Sequence, residues 1–183
     1  LINSPTEDKP FNQTYTIKYL GNIIEGKIVK HLNLPIEELK KAAVKQLKDG
    51  YPVWFGCDVG RSSVVEDERA MLDTKAVDYE ALFNVDLKLS KEDALDYGYS
   101  MMTHAMTFTG VQMNSNEPLR FKVENSWGEK FGYKGHFVMT SDWFDQYVYQ
   151  VVVNKKYLPE KLRKAYEKKA KELSPWDPMG SLA

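Results

Sequence analysis

The pattern of apolar and polar positions first identifies two amphipathic segments. After Pro35, apolar residues recur at helical spacing at Ile36, Leu39, Ala43 and Leu47. Such spacing places them on one face, and Pro35 and Gly50 suit the start and end of a helix. A second segment, 159–173, starts with a proline and repeats this pattern at Leu162, Ala165, Tyr166 and Leu173. We predict a helix in each segment, and a shorter one over 73–83.

Other segments carry the features of β-strands, being alternating, apolar or rich in β-branched and aromatic residues. The predicted strands fall in 12–24, 51–60, 101–113, 119–127 and 135–154, the last interrupted by a turn or short helix. The short polar loop between 113 and 119 predicts an antiparallel pair. One main antiparallel sheet with helices beside it predicts an α+β fold.

Composition excludes several classes of protein. The 183 residues are 43% hydrophobic and 28% charged, with a net charge of −1, which argues against a dedicated nucleic-acid binder. No apolar run approaches the roughly 20 residues that span a bilayer, so we expect no membrane partner. A single cysteine and the lack of a signal-peptide pattern at Leu1 predict a cytoplasmic setting. Without an initiating Met, the chain is expected to be part of a longer protein.

His104 and Asn125 are the candidate catalytic residues. They lie on consecutive predicted strands joined by a short loop, and antiparallel pairing of those strands would bring their side chains together. An amide oxygen can hold one ring nitrogen of a histidine while the other acts as a general base. Trp127 follows Asn125 closely and could exclude water from that contact. A core histidine and a turn asparagine are the structural alternatives for these two residues.

The motifs THAM, at 103–106, and ENSWG, at 124–128, resemble the His and Asn motifs of papain-like cysteine peptidases. The segments GYPVWFGCDVG, VENSWGEKFGYKGHF, WFDQYVYQVVV and PWDPMGSLA extend this resemblance to the bleomycin hydrolase and aminopeptidase C family. The similarity covers almost the whole chain and corresponds to the C-terminal part of that family. It implies the sheet-rich, half-barrel part of a papain-like fold over 1–173, and an extended C-terminal arm over 174–183.

The resemblance further implies a cysteine aminopeptidase that acts on peptide substrates, with His104 as base and Asn125 as its orienting partner. The family's nucleophilic cysteine lies in an upstream segment, which would be the missing partner of this chain; alone, the chain is expected to be inactive. Cys57 is not expected to replace it, because it ends a buried-strand pattern and Asp58 opposes thiolate formation. The family forms homo-hexamers, and we expect the same here.

The tail after 173 contains two prolines and a glycine, so we expect no regular structure, with Trp176, Met179 and Leu182 as apolar anchors. In the family this arm lies along the active-site cleft, and its terminal carboxylate meets the substrate amine. By resemblance, Gly180, Ser181, Leu182 and Ala183 are specificity elements.

Other clusters carry weaker signals. His31 and His136 lack partners at ligand spacing, the acidic residues from Glu66 to Asp73 lack a calcium-loop pattern, and we expect neither metal nor cofactor. The lysines of 155–171 alternate with glutamates, which favours a solvated helix face. Two alternative functions stay open. One is a non-catalytic binding or structural module of papain-like fold; the other is a nucleic-acid role, known for some yeast members of the family.

Overall fold

The computed structural model describes residues 1–21, 23–66 and 69–182, with the side chain of Leu182 left aside. Its strands are β1 Thr14–Ile17, β2 His31–Leu32, β3 Val53–Cys57, β4 Ser63–Glu66, β5 Arg69–Leu72, β6 His104–Asn114, β7 Glu117–Glu124, β8 His136–Thr140, β9 Val148–Val152 and β10 Lys171–Leu173. Its α-helices are α1 Ile36–Lys48, α2 Tyr79–Phe83, α3 Lys91–Asp96, α4 Ser141–Tyr147 and α5 Glu160–Glu167. Two 3-10 helices cover Lys155–Tyr157 and Pro178–Leu182.

The larger sheet has seven strands in the order β4-β5-β8-β7-β6-β3-β9. Its pairs are antiparallel except β5 with β8, so the predicted antiparallel sheet is in fact mixed. A smaller sheet of order β10-β1-β2 lies apart from it, with β1 and β10 parallel. Sheets with helices beside them confirm the α+β, papain-like half-barrel class.

Aromatic residues on the inner face of the larger sheet form the centre of the core. Phe55 on β3 stacks on Phe108 on β6 with ring centroids 3.8 Å apart. Phe121 and Phe144 complete this group from β7 and α4. Helix α1 buries Leu39 and Ala43 against the same core, which confirms its predicted apolar face. Burial of this kind is the main favourable term in folding.

Several predicted boundaries are wrong. The strand predicted over 12–24 is regular only at Thr14–Ile17, and the helix predicted over 73–83 covers only Tyr79–Phe83. No strand is predicted around the acidic stretch from Glu66 to Asp73, yet β4 and β5 form an antiparallel pair there, with 67 and 68 outside the described residues. Alternation of exposed and half-buried residues in β4 leaves little apolar pattern to detect.

The predicted helix over 159–173 is also wrong beyond Glu167, where Lys168 adopts extended backbone angles. Lys171–Leu173 then pairs with the edge of β1. The hydrogen bonds gained at this strand edge favour a strand over the helix that the local sequence favours. The tail is not devoid of regular structure either, since Pro178–Leu182 form a 3-10 helix. Whether 1–173 and 174–183 act as separate units stays a prediction. Among the described helices, none combines the length and apolarity needed to cross a bilayer.

Candidate active site

Three consecutive strands, β6, β7 and β8, position the two predicted catalytic residues. His104 opens β6, and Asn125 directly follows β7. The register pairs Thr107 with Glu124, which brings the start of β6 beside the end of β7. The backbone N–H of Asn125 donates to the carbonyl of Gly135 at 3.0 Å, so the β7–β8 ladder continues through this residue. The site therefore lies at one end of the sheet, on backbone held from both sides.

A compact turn joins β7 to β8 and carries the glycine-rich sequence. Tyr133 and His136 exchange two backbone hydrogen bonds of 3.0 Å, which close its far end. Gly132 has a φ of +68°, and a Cβ at this position would collide with the His136 carbonyl and the Phe137 ring. Only glycine fits there without displacing the turn. The glycine spacing thus serves the shape of the loop that carries Trp127.

His104 and Asn125 are joined by a hydrogen bond whose direction can be assigned. His104 Nε2 lies 2.8 Å from Asn125 Oδ1, and the same oxygen accepts from the backbone N–H of Ser126 at 2.8 Å. A group that accepts from a backbone N–H is the amide oxygen, so Nε2 must carry the proton and donate. The lone pair of the neutral ring is then on Nδ1. This is the tautomer that a general base acting through Nδ1 requires.

Trp127 lies beside the imidazole. Its ring centroid is 5.0 Å from that of His104 at an interplanar angle of 39°, and its edge contacts involve Phe131 and Phe137. The indole remains 42% exposed, so it covers the His104–Asn125 contact from one side only. Asn125 Nδ2 is buried and has no hydrogen-bond partner among the described residues. The role of Trp127 as a water shield stays a prediction.

Cys57 is placed close to His104 in the sheet yet is poorly suited to be its nucleophile. The two residues are Cα partners across β3 and β6. Within the described residues, however, no hydrogen bond links the thiol to the imidazole, and Cys57 is fully buried. Burial first and the Asp58 carboxylate second raise the pKa of the Cys57 thiol well above its usual value. A thiolate is the reactive form, so Cys57 is chemically inert here.

The C-terminal segment is anchored by one of its three predicted apolar residues. Met179 is buried in a small cluster with Ile2, Tyr15, Ile17 and Tyr149. Trp176 is 83% exposed, so its predicted anchoring role is wrong. The side chain of Leu182 and all of Ala183 lie outside the described residues. Lys9 adds a polar anchor, with its Nζ 3.5 Å from the Asp177 carboxylate.

A cavity of about 520 Å³ separates this tail from the backbone that leads into His104. Gly180, Ser181, Ser100 and Met101 are all among its lining residues. Gly180 is held by its N–H bond to the Asp177 carbonyl at 2.8 Å, and Ser181 by its hydroxyl bond to the Pro178 carbonyl at 2.7 Å. The predicted specificity residues that are described therefore face the same space as residues just upstream of the base.

Within the described residues, neither of the other two histidine rings is hydrogen-bonded to His104 or Asn125. His31 is buried in β2, and burial, assisted by the Leu1 ammonium, lowers the pKa of His31 to about 4. His136 Nδ1 lies 3.0 Å from the Lys134 carbonyl. Among residues 1–21, 23–66 and 69–182, no group of three or more His, Cys, Asp or Glu side chains could hold a metal ion.

Sequence reasoning missed one buried polar group next to the site. Asp58 follows β3 directly and is only 5% exposed, although it was considered only for its effect on Cys57. Its side chain contacts residues immediately before His104. A carboxylate directly after an apolar strand is the sequence feature that could have identified this group, because a buried carboxylate requires several hydrogen-bond donors. The identity of those donors cannot be read from the sequence.

Known proteins of similar sequence align with this chain over its whole length. Aminopeptidase C of Listeria monocytogenes is 51% identical over 183 residues, and aminopeptidase C of Lactobacillus delbrueckii subsp. lactis is 49% identical over 186. Bleomycin hydrolase of Mus musculus is 43% identical over 186 residues. Each alignment covers 100% of this chain but only 40–41% of the relative. The chain thus spans about two fifths of these relatives.

A solved structure agrees with the sequence relatives. The crystal structure of PepW from Lactobacillus rhamnosis HN001 superposes with a TM-score of 0.92 at 52% identity, covering 100% of this chain and 41% of that one. The sequence model of the Peptidase C1-like family matches residues 1–180. Because that model matches nearly every residue and the fold superposes on PepW, the chain belongs to the Peptidase C1-like family.

Proposed function

We propose that this chain supplies the general base and its orienting residue to a cysteine aminopeptidase, while the nucleophilic thiol comes from a segment outside these 183 residues. The observation that carries the proposal is the 2.8 Å bond from His104 Nε2 to Asn125 Oδ1, which leaves Nδ1 as the basic nitrogen. The names of the relatives, aminopeptidase C and bleomycin hydrolase, support the reaction class. The inert environment of Cys57 supports an external thiol.

The proposed chemistry is acyl transfer through a thioester. His104 Nδ1 takes the proton of the thiol, and the thiolate attacks the carbonyl carbon of the first peptide bond. The imidazolium then gives its proton to the departing amine as the C–N bond breaks. Water, deprotonated by Nδ1, attacks the thioester and releases the amino acid and the thiol. Asn125 keeps the ring orientation constant through both half-reactions, because Nε2–H never leaves its oxygen.

The C-terminal residues are proposed to restrict this chemistry to free N-termini of peptides. A carboxylate at Ala183 would attract the α-ammonium of a peptide and occupy the space that a longer substrate needs. The position of Gly180 and Ser181 in the lining of the same cavity as Met101 supports a path of the tail toward the base. A cytoplasmic location and a homo-hexameric assembly complete the proposal by family resemblance, and sedimentation of the full-length protein tests the latter.

The decisive experiment is substitution of His104 by alanine in the full-length protein. Turnover of an aminoacyl p-nitroanilide should fall by at least about 10³-fold, the scale of a lost general base. His136→Ala is the matched control, because this histidine lies on the β8 side of the turn and its ring bonds only to the Lys134 carbonyl within the described residues. Retained turnover in His104→Ala, or equal losses in both variants, would contradict the proposal.

A second arm tests the source of the thiol. The 183-residue chain alone should show no turnover, and full-length Cys57→Ala should keep the turnover of the parent. Turnover by the chain alone that disappears on Cys57→Ala would instead identify Cys57 as the nucleophile.

A further inference from the structure

The backbone just before His104 has little regular structure of its own. Residues 101–103 belong to no helix or strand, and Met101 and Thr103 are exposed. Two backbone hydrogen bonds hold this stretch: Ser100 N–H to the Ala94 carbonyl at 2.9 Å, and Thr103 N–H to the Cys57 carbonyl at 3.0 Å. Its position decides where β6 begins, and therefore where the imidazole of His104 is placed.

Asp58 supplies the contacts that this stretch otherwise lacks. Its carboxylate accepts from the hydroxyl of Ser100 at 2.9 Å and of Thr103 at 3.3 Å, and more weakly from the backbone N–H of Met101 at 3.4 Å. An ionised carboxylate is acceptor-only, with room for about four donors. One buried group thus binds residues at both ends of the segment 100–103.

Tyr149, behind the segment, completes the hydrogen bonding of Ser100. The hydroxyl of Tyr149 lies 2.5 Å from that of Ser100, and burial raises the pKa of Tyr149, which keeps it a donor. Since the single hydrogen of Ser100 is committed to Asp58, the Tyr149 hydroxyl must donate to Ser100. The chain of donors therefore runs in one direction, from Tyr149 through Ser100 to Asp58.

Arg61 balances the charge of Asp58 and holds the other side of the segment. Its Nε lies 3.4 Å from the Asp58 carboxylate, and its guanidinium stacks 4.0 Å from the centroid of the Tyr99 ring while donating to the Tyr99 carbonyl. Asp58 itself is anchored by its backbone N–H, which donates to the Tyr147 carbonyl at 3.1 Å. A buried carboxylate with a cationic partner and several donors is a stable arrangement.

The strand beneath the segment is shaped to receive it. Met102 packs on Gly56, and a Cβ at this glycine would overlap the Met102 sulfur. Gly56, Cys57 and Asp58 are thus consecutive residues that contact, in turn, the Met102 side chain, the Thr103 backbone and the Thr103 side chain. This register places the next residue, His104, opposite Cys57.

From this arrangement we infer that Asp58 is a positioning residue for catalysis, which holds the segment 100–103 so that the imidazole of His104 meets the reacting thiol. The inference rests on the proposed function of His104 as general base. Asp58 contacts Ser100, Met101 and Thr103 and would act through the placement of this backbone. Misplacement of a catalytic group by about 1 Å can cost about 10²-fold in rate.

The principal variant is Asp58→Asn in the full-length protein. An asparagine keeps the volume but loses one acceptor oxygen and the charge that faces Arg61. We expect kcat to fall about 10- to 100-fold while KM changes less than about threefold, the pattern of a group needed in the transition state only. Asp145→Asn on α4 is the matched control, because it breaks a 2.7 Å ion pair with Lys40 on α1 and should leave kcat unchanged.

A second readout separates positioning from general destabilisation. The rate of alkylation of the nucleophilic thiol by iodoacetamide, followed against pH, reports thiolate formation without turnover. In Asp58→Asn the rate near pH 6 should fall and the profile should move toward that of an unperturbed thiol near pH 8.5. An unchanged kcat with an unchanged profile would overturn the inference, as would a kcat loss that Asp145→Asn reproduces.

Thr103→Val keeps the inference testable if Asp58→Asn does not fold. The substitution is at an exposed residue, removes one hydrogen-bond donor to Asp58 and should lower kcat about threefold. Combined with Asp58→Asn, it should add nothing further, since both changes break the same contact. Unchanged kcat in Thr103→Val, or fully additive losses, contradicts the inference. Activity that persists in His104→Ala would instead show that the proposed function itself has failed.

Discussion

The β6–β7–β8 hairpins and the C-terminal segment 168–182 place predicted functional residues by different means. In the hairpins, His104 and Asn125 meet because adjacent strands pair in register, with short connections between them. In the C-terminal segment, Lys171–Leu173 and Met179 depend on partners near the start of the chain, in β1 and around Ile2. The structure of the first region can be predicted from the local sequence pattern. The structure of the second depends on contacts between residues far apart in the chain, which are formed only at the entropic cost of closing a long loop.

The largest contrast should be in stability, between Phe108 in the hairpins and Met179 in the tail. Phe108 is fully buried and stacks on Phe55 at 3.8 Å, whereas Met179 belongs to the smaller cluster. Urea unfolding of the full-length protein should show losses of about 4 kcal/mol for Phe108→Ala and about 2 kcal/mol for Met179→Ala. Leu119→Ala, at a residue 43% exposed on β7, is the control. Equal losses for Phe108 and Met179 would remove the contrast.

The smaller sheet should also respond to acid in a way that the hairpins do not. Since burial lowers the pKa of His31 to about 4, the unfolded chain binds a proton at higher pH than the folded one. Stability should therefore decrease as pH falls from about 6.5 to about 4, by up to about 3 kcal/mol. His31→Leu should flatten this part of the curve of unfolding free energy against pH, and His136→Gln should not. A curve that keeps its slope in His31→Leu would exclude His31 as the cause.

Substitution of Asn125 tests, through activity, whether strand pairing in the hairpins positions the proposed base. Asn125→Ala should lower kcat/KM about 100-fold, equivalent to about 2.7 kcal/mol, because the imidazole loses its fixed tautomer. The matched control is Asn114→Ala, at the exposed far end of the same β6 strand. Steady-state kinetics of the full-length protein provides the measurement. A loss below about threefold would mean that the 2.8 Å bond does not orient the base.

Removal of 180–183 tests the tail side and should have the smallest effect on the chemical step. The ratio of kcat/KM for N-acetylated peptides to kcat/KM for peptides with a free N-terminus should rise about tenfold. This is the effect expected from the loss of one charge-assisted hydrogen bond. Replacing Ser181 by alanine, which removes only the bond to Pro178, should leave this ratio unchanged. An unchanged preference after truncation would show that the tail has no part in specificity.

The sequence predicted the elements whose partners lie nearby and failed where distant partners decide. Helix α1 and the strands carrying His104 and Asn125 follow from periodicity, because their burial pattern matches the sheet or helix repeat. β10 could not be foreseen, since Lys171–Leu173 pairs with a strand edge far away in the chain and lies in a stretch of helix-favouring residues. Asp58 was missed for a related reason: its donors, Ser100 and Thr103, come from a loop whose path depends on the whole sheet.

The contact between Trp127 and His104 has a practical consequence. An imidazolium in contact with an indole quenches its emission, whereas a neutral imidazole does so much less. With ring centroids 5.0 Å apart, Trp127 is therefore an intrinsic optical probe of the charge on His104. Trp143 is fully buried and Trp176 is 83% exposed, so their emission maxima differ from that of Trp127, whereas Trp54 is 38% exposed and has to be replaced by phenylalanine to isolate the signal. Stopped-flow fluorescence could then follow proton transfer at the base directly, without any label.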